Sequence, residues 1–74
     1  MTEHAPNTIA VQVNGETRAL APETTAASLL QVLGLAGRRV AVEVNEDLLP
    51  RSQLPEHRLR DGDRVEIVQA IGGG

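Results

Sequence analysis

The sequence contains no phenylalanine, tyrosine, tryptophan, cysteine or lysine. Without aromatic rings the chain lacks the stacking surfaces that hold single-stranded nucleic acids, and its seven arginines are outnumbered by ten acidic residues. Nucleic acids are therefore not expected as partners. Without cysteine the chain can form neither a disulfide nor a thiolate metal site, and it has no thiol nucleophile. Any sulfur that it handles must come from another protein.

Two further absences concern location. No apolar run is long enough to cross a membrane, and the start of the chain lacks the basic and apolar stretches of a signal peptide. We therefore expect no membrane partner and a cytoplasmic location. A chain of 74 residues has room for a single small core. The polar start, which contains Pro6, predicts a flexible leader over residues 1–7, a folded domain over 8–70 and a flexible tail over 71–74.

The first folded unit is predicted to be a β-hairpin. Between Thr8 and Val13 apolar and polar residues alternate, as they do in a half-buried strand. Asn14-Gly15 follows, and both residues tolerate the positive φ angles of a two-residue hairpin turn. Residues 16–20 are therefore predicted to return as an antiparallel second strand.

An amphipathic helix is predicted after Pro22. Residues 23–25, Glu-Thr-Thr, supply an acidic residue and hydroxyls where the free N–H groups of a helix start need partners. The apolar residues that share one helical face are Ala26, Leu29, Leu30 and Leu33. Gly34 is suited to the left-handed conformation that ends many helices, so the helix is predicted to end near Leu33.

The second half of the chain is predicted to form strands joined by one polar connection. Its expected elements are a strand over 40–44, a brief edge strand over 48–50, a loop or short helical turn over 51–60 anchored by Leu54 and Leu59, a tight turn over 61–63 and a last strand over 65–68. The complete order is typical of an α+β fold and favours a mixed sheet of four to five strands wrapped around one helix. The predicted core comprises Ile9, Val11, Val13, Leu29, Leu30, Leu33, Val40, Val42, Val44, Val65 and Ile67.

The chain offers no set of residues suited to catalysis or metal binding. His4 lies in the leader and His57 in the polar connection, without a second ligand at a metal-binding spacing. Asp61 and Asp63 flank a glycine in a predicted turn, which explains both residues without a calcium ion. We therefore expect no metal, no permanently bound cofactor and no catalytic activity of the chain's own.

Three consecutive glycines, Gly72, Gly73 and Gly74, end the sequence. Such a segment is typical of a flexible linker. It can also lie in a channel too narrow for side chains, because glycine has no Cβ. Its terminal carboxylate is ionised at neutral pH and is able to attack the α-phosphate of ATP when a partner's active site holds both groups.

Five segments, in a fixed order ahead of these glycines, resemble a known family. They are Val11 to Glu16 in the hairpin, Ser28 to Leu35 in the helix, Val40 to Asn45 in the third strand, Leu49 to Arg51 after it, and Asp61 to Val68 before the tail. Together they resemble the ubiquitin-like β-grasp sulfur carriers, and among them the ThiS family of thiamin biosynthesis. The leader through Asn7 departs from the usual start of the family, which lies close to the first strand.

The resemblance implies a β-grasp fold and a protein that serves as a co-substrate, not as an enzyme. In this family the terminal glycine is adenylated with ATP by a ThiF-type enzyme and converted to a thiocarboxylate with sulfur from a cysteine desulfurase. The carrier then donates this sulfur to thiazole synthase, ThiG, for the thiazole ring of thiamin. Carried over to this sequence, Gly74 would bear the adenylate and then the sulfur, while Gly72 and Gly73 would form the narrow stalk.

The partner-facing surface is expected on the side of the sheet away from the helix. Since Val65 and Ile67 are predicted to face inward, the alternate residues of the last strand face outward. The residues expected on this surface are Glu66, Val68, Ala70, Ile71, Ala41 and Glu43, with Ala10 and Gln12 beside them.

Two alternatives remain open. A sulfur carrier for molybdopterin, cysteine or tRNA thiolation shares the fold and a glycine end. A ubiquitin-like conjugation or interaction module would use the same fold without transferring sulfur.

Overall fold

The computed structural model describes residues 7–69. These residues form five strands, one α-helix and one 3-10 turn: β1 (Ile9–Val13), β2 (Glu16–Leu20), α1 (Ala26–Val32), β3 (Val40–Val44), β4 (Asp47–Leu49), the 3-10 turn (Arg51–Gln53) and β5 (Arg64–Gln69). Every predicted element is present, with ends that differ by one or two residues. Residues 1–6 of the predicted leader, residue 70 of the predicted domain and the predicted tail over 71–74 lie outside the described residues.

The strands form a single five-stranded mixed sheet in the order β2-β1-β5-β3-β4. All neighbouring strands are antiparallel except β1 and β5, which are parallel at the centre of the sheet. The helix connects the two hairpins and packs on one face of this sheet. The α+β prediction of a mixed sheet around one helix is confirmed, and the arrangement is that of a β-grasp.

The β1–β2 hairpin has the turn that its sequence predicts. Asn14 and Gly15 adopt φ angles of 50° and 86°, both in the left-handed region that a two-residue turn requires. Val13 consequently pairs with Glu16, and Ile9 pairs with Leu20 at the other end of the ladder.

Helix α1 is capped by side chains at its N-terminus and by backbone hydrogen bonds at its C-terminus. The Thr25 hydroxyl accepts a hydrogen bond from the Ser28 N–H at 3.1 Å, and the Ser28 hydroxyl accepts one from the Thr25 N–H at 3.3 Å. The predicted contribution of Glu23 is wrong, because the first turn contains no acidic residue. At the other end Gly34 has a φ of 75° and Leu35 N–H donates to the Leu30 carbonyl at 2.8 Å, which confirms the predicted ending.

The core lies between α1 and the inner face of the sheet. Its buried residues are Val11, Val13, Leu20, Ala26, Leu29, Leu30, Val42, Val44, Leu54, Leu59, Val65 and Ile67. The predicted burial of Ile9, Leu33 and Val40 is wrong in degree, because these residues are only half-buried. Ile9 and Val40 are the first residues of β1 and β3, and Leu33 is the residue just after α1. Leu20 and Ala26 are buried residues that the predicted core omitted, and Leu54 and Leu59, predicted only as anchors of the polar connection, belong to the core as well.

The polar connection between β4 and β5 is held against the start of α1. Ala26 N–H donates to the His57 carbonyl at 2.9 Å, and Leu59 N–H donates to the Thr24 carbonyl at 2.9 Å. Leu54 and Leu59 are buried beneath this connection, which confirms them as its anchors. These contacts order a stretch whose sequence has no clear periodicity.

Candidate functional site

Strand β5 is central to the candidate site because it leads toward the predicted tail. It lies between β1 and β3 and buries Val65 and Ile67 against the core. The alternate residues Glu66 and Val68 are exposed on the side of the sheet away from α1. The predicted orientation of these four side chains, two inward and two outward, is therefore confirmed.

The strand register gathers exposed residues from three strands into one patch. Ala41 lies opposite Val68, and Glu43 lies opposite Glu66. Leu48 of β4 lies opposite Glu43 on its other side. We call the patch formed by Ala41, Glu43, Leu48, Glu66 and Val68 the outer face. Ala10 and Gln12 are also exposed, on β1.

Two large apolar side chains of the outer face are exposed to solvent. Val68 is 63% exposed and Leu48 is 65% exposed. The sequence interpretation did not include Leu48 in the partner-facing surface. Its sequence signal is the alternation with Leu49, which is half-buried against the core and so turns Leu48 outward. Exposed apolar side chains grouped on one face are typical of a protein-binding surface.

The outer face also contains a pair of like charges. Glu43 and Glu66 lie directly opposite each other on neighbouring antiparallel strands. Like charges directly opposite each other on neighbouring strands destabilise a sheet. The fold itself therefore gains nothing from this pair.

The carboxylates of the 61–63 turn are used by the turn. Asp61 Oδ1 accepts a hydrogen bond from the Ala10 N–H at 2.7 Å. Asp63 accepts from the Arg60 N–H at 2.8 Å and from Asn45 Nδ2 at 3.0 Å. These contacts attach the start of β5 to β1 and to the turn after β3, and they explain both aspartates by structure alone.

Two asparagines hold β5 from opposite sides. Asn14 Oδ1 accepts from the Ile67 N–H at 2.8 Å, and Asn14 Nδ2 donates to the Ile67 carbonyl at 3.2 Å. Asn45 Oδ1 accepts from the Arg64 N–H at 3.0 Å, while the Asn45 N–H donates to the Arg64 carbonyl at 2.7 Å. Both asparagines have positive φ angles, of 50° and 51°. Their contacts to β5 were not predicted from the sequence.

The predicted tail residues and the rest of the predicted surface lie beyond the described part of the chain. Gly72, Gly73 and Gly74, with Ala70 and Ile71, follow the last described residue. Their assigned roles stay predictions.

The described residues include no group of three or more side chains that could hold a metal ion. His57 is half-buried and its backbone carbonyl caps the start of α1, while His4 lies outside residues 7–69. Within that range no helix is long and apolar enough to cross a membrane.

Comparison with known proteins connects this geometry to a family. The ThiS family model matches residues 11–74. The sulfur carrier protein ThiS of Thermus thermophilus is 39% identical over 64 residues, which cover 86% of this chain and 98% of that protein. The crystal structure of a thiamine biosynthesis protein, ThiS, from Geobacter metallireducens has a TM-score of 0.76 and 32% identity, and the match covers 89% of this chain and 100% of that one.

A second kind of relative is much longer. A thiazole synthase of Paramagnetospirillum magneticum is 44% identical over 62 residues, which cover 84% of this chain but only 19% of that protein. The chain thus spans about a fifth of the length of this relative. On the family match and the shared fold, the chain belongs to the ThiS family, the ubiquitin-like sulfur carriers of thiamin biosynthesis.

Proposed function

We propose that the α-carboxyl group of Gly74 carries the sulfur. This group is first adenylated and then converted to a thiocarboxylate. The observation that carries the proposal is the extent of the family match, which continues through the three glycines to Gly74. The chain acts in this proposal as a co-substrate, and partner enzymes perform the catalysis.

The chemistry requires an activated carboxyl group. A carboxylate oxygen of Gly74 attacks the α-phosphorus of ATP, and pyrophosphate leaves. The terminal sulfur of a cysteine persulfide then attacks the carbonyl carbon and displaces AMP, which gives an acyl disulfide. A thiol, acting as the reductant, attacks the cysteine sulfur of this acyl disulfide, so that the thiocarboxylate leaves and a disulfide remains. Since this sequence contains no cysteine, the persulfide belongs to a partner, such as a cysteine desulfurase or a protein that it loads. The ATP is bound by a ThiF-type activating enzyme and not by the carrier. In this proposal the carrier works in the cytoplasm.

The length of the tail suits delivery into a partner's active site. Residues 70–74, fully extended, span about 17 Å at roughly 3.3–3.6 Å per residue. Without Cβ atoms, the three glycines fit a passage that admits only a backbone. The outer face, at the base of this tail, is the surface on which we propose that partners dock.

Intact-protein mass spectrometry tests the proposal directly. The chain is incubated with a ThiF-type enzyme, ATP and a persulfide donor, and the expected product carries one sulfur in place of one oxygen. Deletion of Gly74 should abolish this mass change and leave thermal unfolding unchanged. Deletion of Thr2, which removes one residue from the other end, is the matched control and should react as the unaltered chain does. An unchanged mass for the full chain contradicts the proposal, and attachment to lysines of other proteins would favour the conjugation module.

We further propose that a thiazole synthase receives the sulfur. The support is the relative from Paramagnetospirillum magneticum, in which a segment similar to this chain is part of a protein named thiazole synthase. A carrier and its acceptor gain a high effective concentration when one polypeptide contains both. Co-purification of the separate carrier with a thiazole synthase, followed by loss of the thiocarboxylate mass when substrate is added, tests this step.

A further inference from the structure

The half of β5 nearest the tail is supported unequally on its two sides. On one side β3 accompanies β5 along its length, from Val44 opposite Val65 to Val40 opposite Gln69. On the other side β1 pairs with β5 only at Gln12 and Val13. Strand β1 ends there because the hairpin turn begins at Asn14, so residues 66–69 extend beyond the last backbone pair with β1.

The Asn14 side chain occupies the place where β1 would continue. Its amide both accepts from the Ile67 N–H, at 2.8 Å, and donates to the Ile67 carbonyl, at 3.2 Å. In a parallel strand that continued past Val13, the backbone groups of two residues would make these two hydrogen bonds to Ile67. The backbone N–H of Asn14 meanwhile donates to the Val65 carbonyl at 2.9 Å. One residue thus extends the β1 ladder by one position along β5.

We propose that Asn14 is a positioning residue for the sulfur-carrying tail. Its side-chain amide holds Ile67 in place, and thereby fixes the end of β5 from which the tail continues. The inference rests on the proposed function, because the tail has to place the Gly74 carboxyl at a partner's reacting atoms. Such placement is sensitive, since a displacement of about 1 Å can cost roughly a hundredfold in rate. The Asn14 side chain contacts Ile67 and acts on the tail through β5.

Asn45 provides a matched control within the same chain. It has nearly the same φ angle as Asn14, follows a strand in the same way and also binds β5 through its side-chain amide. It holds Arg64, however, at the end of β5 remote from the tail. Asn14→Gly and Asn45→Gly each remove one such side chain, and glycine accepts the left-handed backbone without strain.

The experiment measures pyrophosphate release by a ThiF-type enzyme with each carrier as the varied substrate, below the unfolding temperature of all variants. For Asn14→Gly we expect kcat to fall roughly tenfold or more while KM changes by less than about twofold, because the outer face still docks. For Asn45→Gly we expect both constants within about twofold of those of the unaltered chain. Equal effects of the two variants, or a change in KM alone for Asn14→Gly, would overturn the proposal.

Amide hydrogen exchange supplies a readout that needs no partner enzyme. In Asn14→Gly the amide of Ile67 should lose protection, while the amide of Arg64 should keep it; the reverse is expected for Asn45→Gly. Asn14→Asp serves if the glycine variant does not fold, because it keeps an oxygen acceptor for the Ile67 N–H and lacks the N–H donor for the carbonyl. The kcat of Asn14→Asp should fall below that of Asn45→Gly, and a kcat equal to that of the unaltered chain would also overturn the proposal. If the unaltered chain gains no sulfur, the proposed function has failed, and the exchange pattern still decides whether Asn14 holds β5.

Discussion

Truncation of one exposed valine on the outer face should weaken partner binding by a calculable amount. Val68→Ala removes two carbon groups, each worth about 0.8 kcal/mol when fully buried. Since Val68 is 63% exposed in the free chain, a docking partner can bury at most that share. The expected loss is therefore about 1 kcal/mol, which corresponds to a roughly fivefold higher Kd.

The chain contains its own control for this experiment. Val32, on the opposite side of the sheet, is also 63% exposed. Val32→Ala removes the same two carbon groups from helix α1, remote from the outer face. We expect its Kd to stay within about twofold of that of the unaltered chain, because exposed side chains outside an interface contribute little to binding.

The measurement is a titration of a thiazole synthase with each carrier. Because the carrier has neither tryptophan nor tyrosine, any change in tryptophan fluorescence reports on the partner alone. Thermal unfolding of each variant verifies that it is folded at the temperature of the titration. Equal Kd values for Val68→Ala and the unaltered chain, or an equal loss for both valine variants, would refute docking through the outer face.

Three further substitutions test the fold. Leu59→Ala should lower the free energy of unfolding by about 2–5 kcal/mol in a urea titration, because Leu59 is only 2% exposed and its truncation leaves a cavity; a loss under about 1 kcal/mol would contradict its place in the core. Glu66→Gln should raise that free energy by about 0.2–1 kcal/mol by removing the repulsion from Glu43, and added salt should reduce the gain; an equal midpoint at low salt would argue against the repulsion. Thr25→Ala should cost about 0.5–2 kcal/mol through loss of the helix cap, whereas Thr24→Ala should cost less, and the reverse order would place the cap elsewhere.

Local sequence patterns were sufficient for the elements and for most of the core. Period-two alternation placed Val11, Val42 and Val65 on the buried face because strand side chains alternate whatever the partner strand is. Asn14-Gly15 likewise predicted its turn from the backbone freedom of two residues. The burial of Ile9 and Val40 was overestimated because burial at the end of a strand depends on which other elements cover it. Local alternation does not contain that information.

The side-chain contacts that hold β5 could not be predicted from local sequence patterns. Asn14 bonds Ile67, which is far away in sequence, and nothing in a local pattern tells a turn asparagine with such a contact from one without it. Alternation with Leu49 indicates that Leu48 turns outward, but its place beside Glu43 in the outer face depends on the register of β4 against β3. The surface residues Glu66, Val68 and Ala41 were identifiable because alternation alone turned them outward.

The central place of β5 has a consequence for biosynthesis. A ribosome produces β5 after every other described element, yet both hairpins pair with it and not with each other. Until residue 69 has been made, the nascent chain contains two separate two-stranded ribbons, each marginally stable in water. A prematurely terminated product therefore cannot close its sheet and is open to proteases.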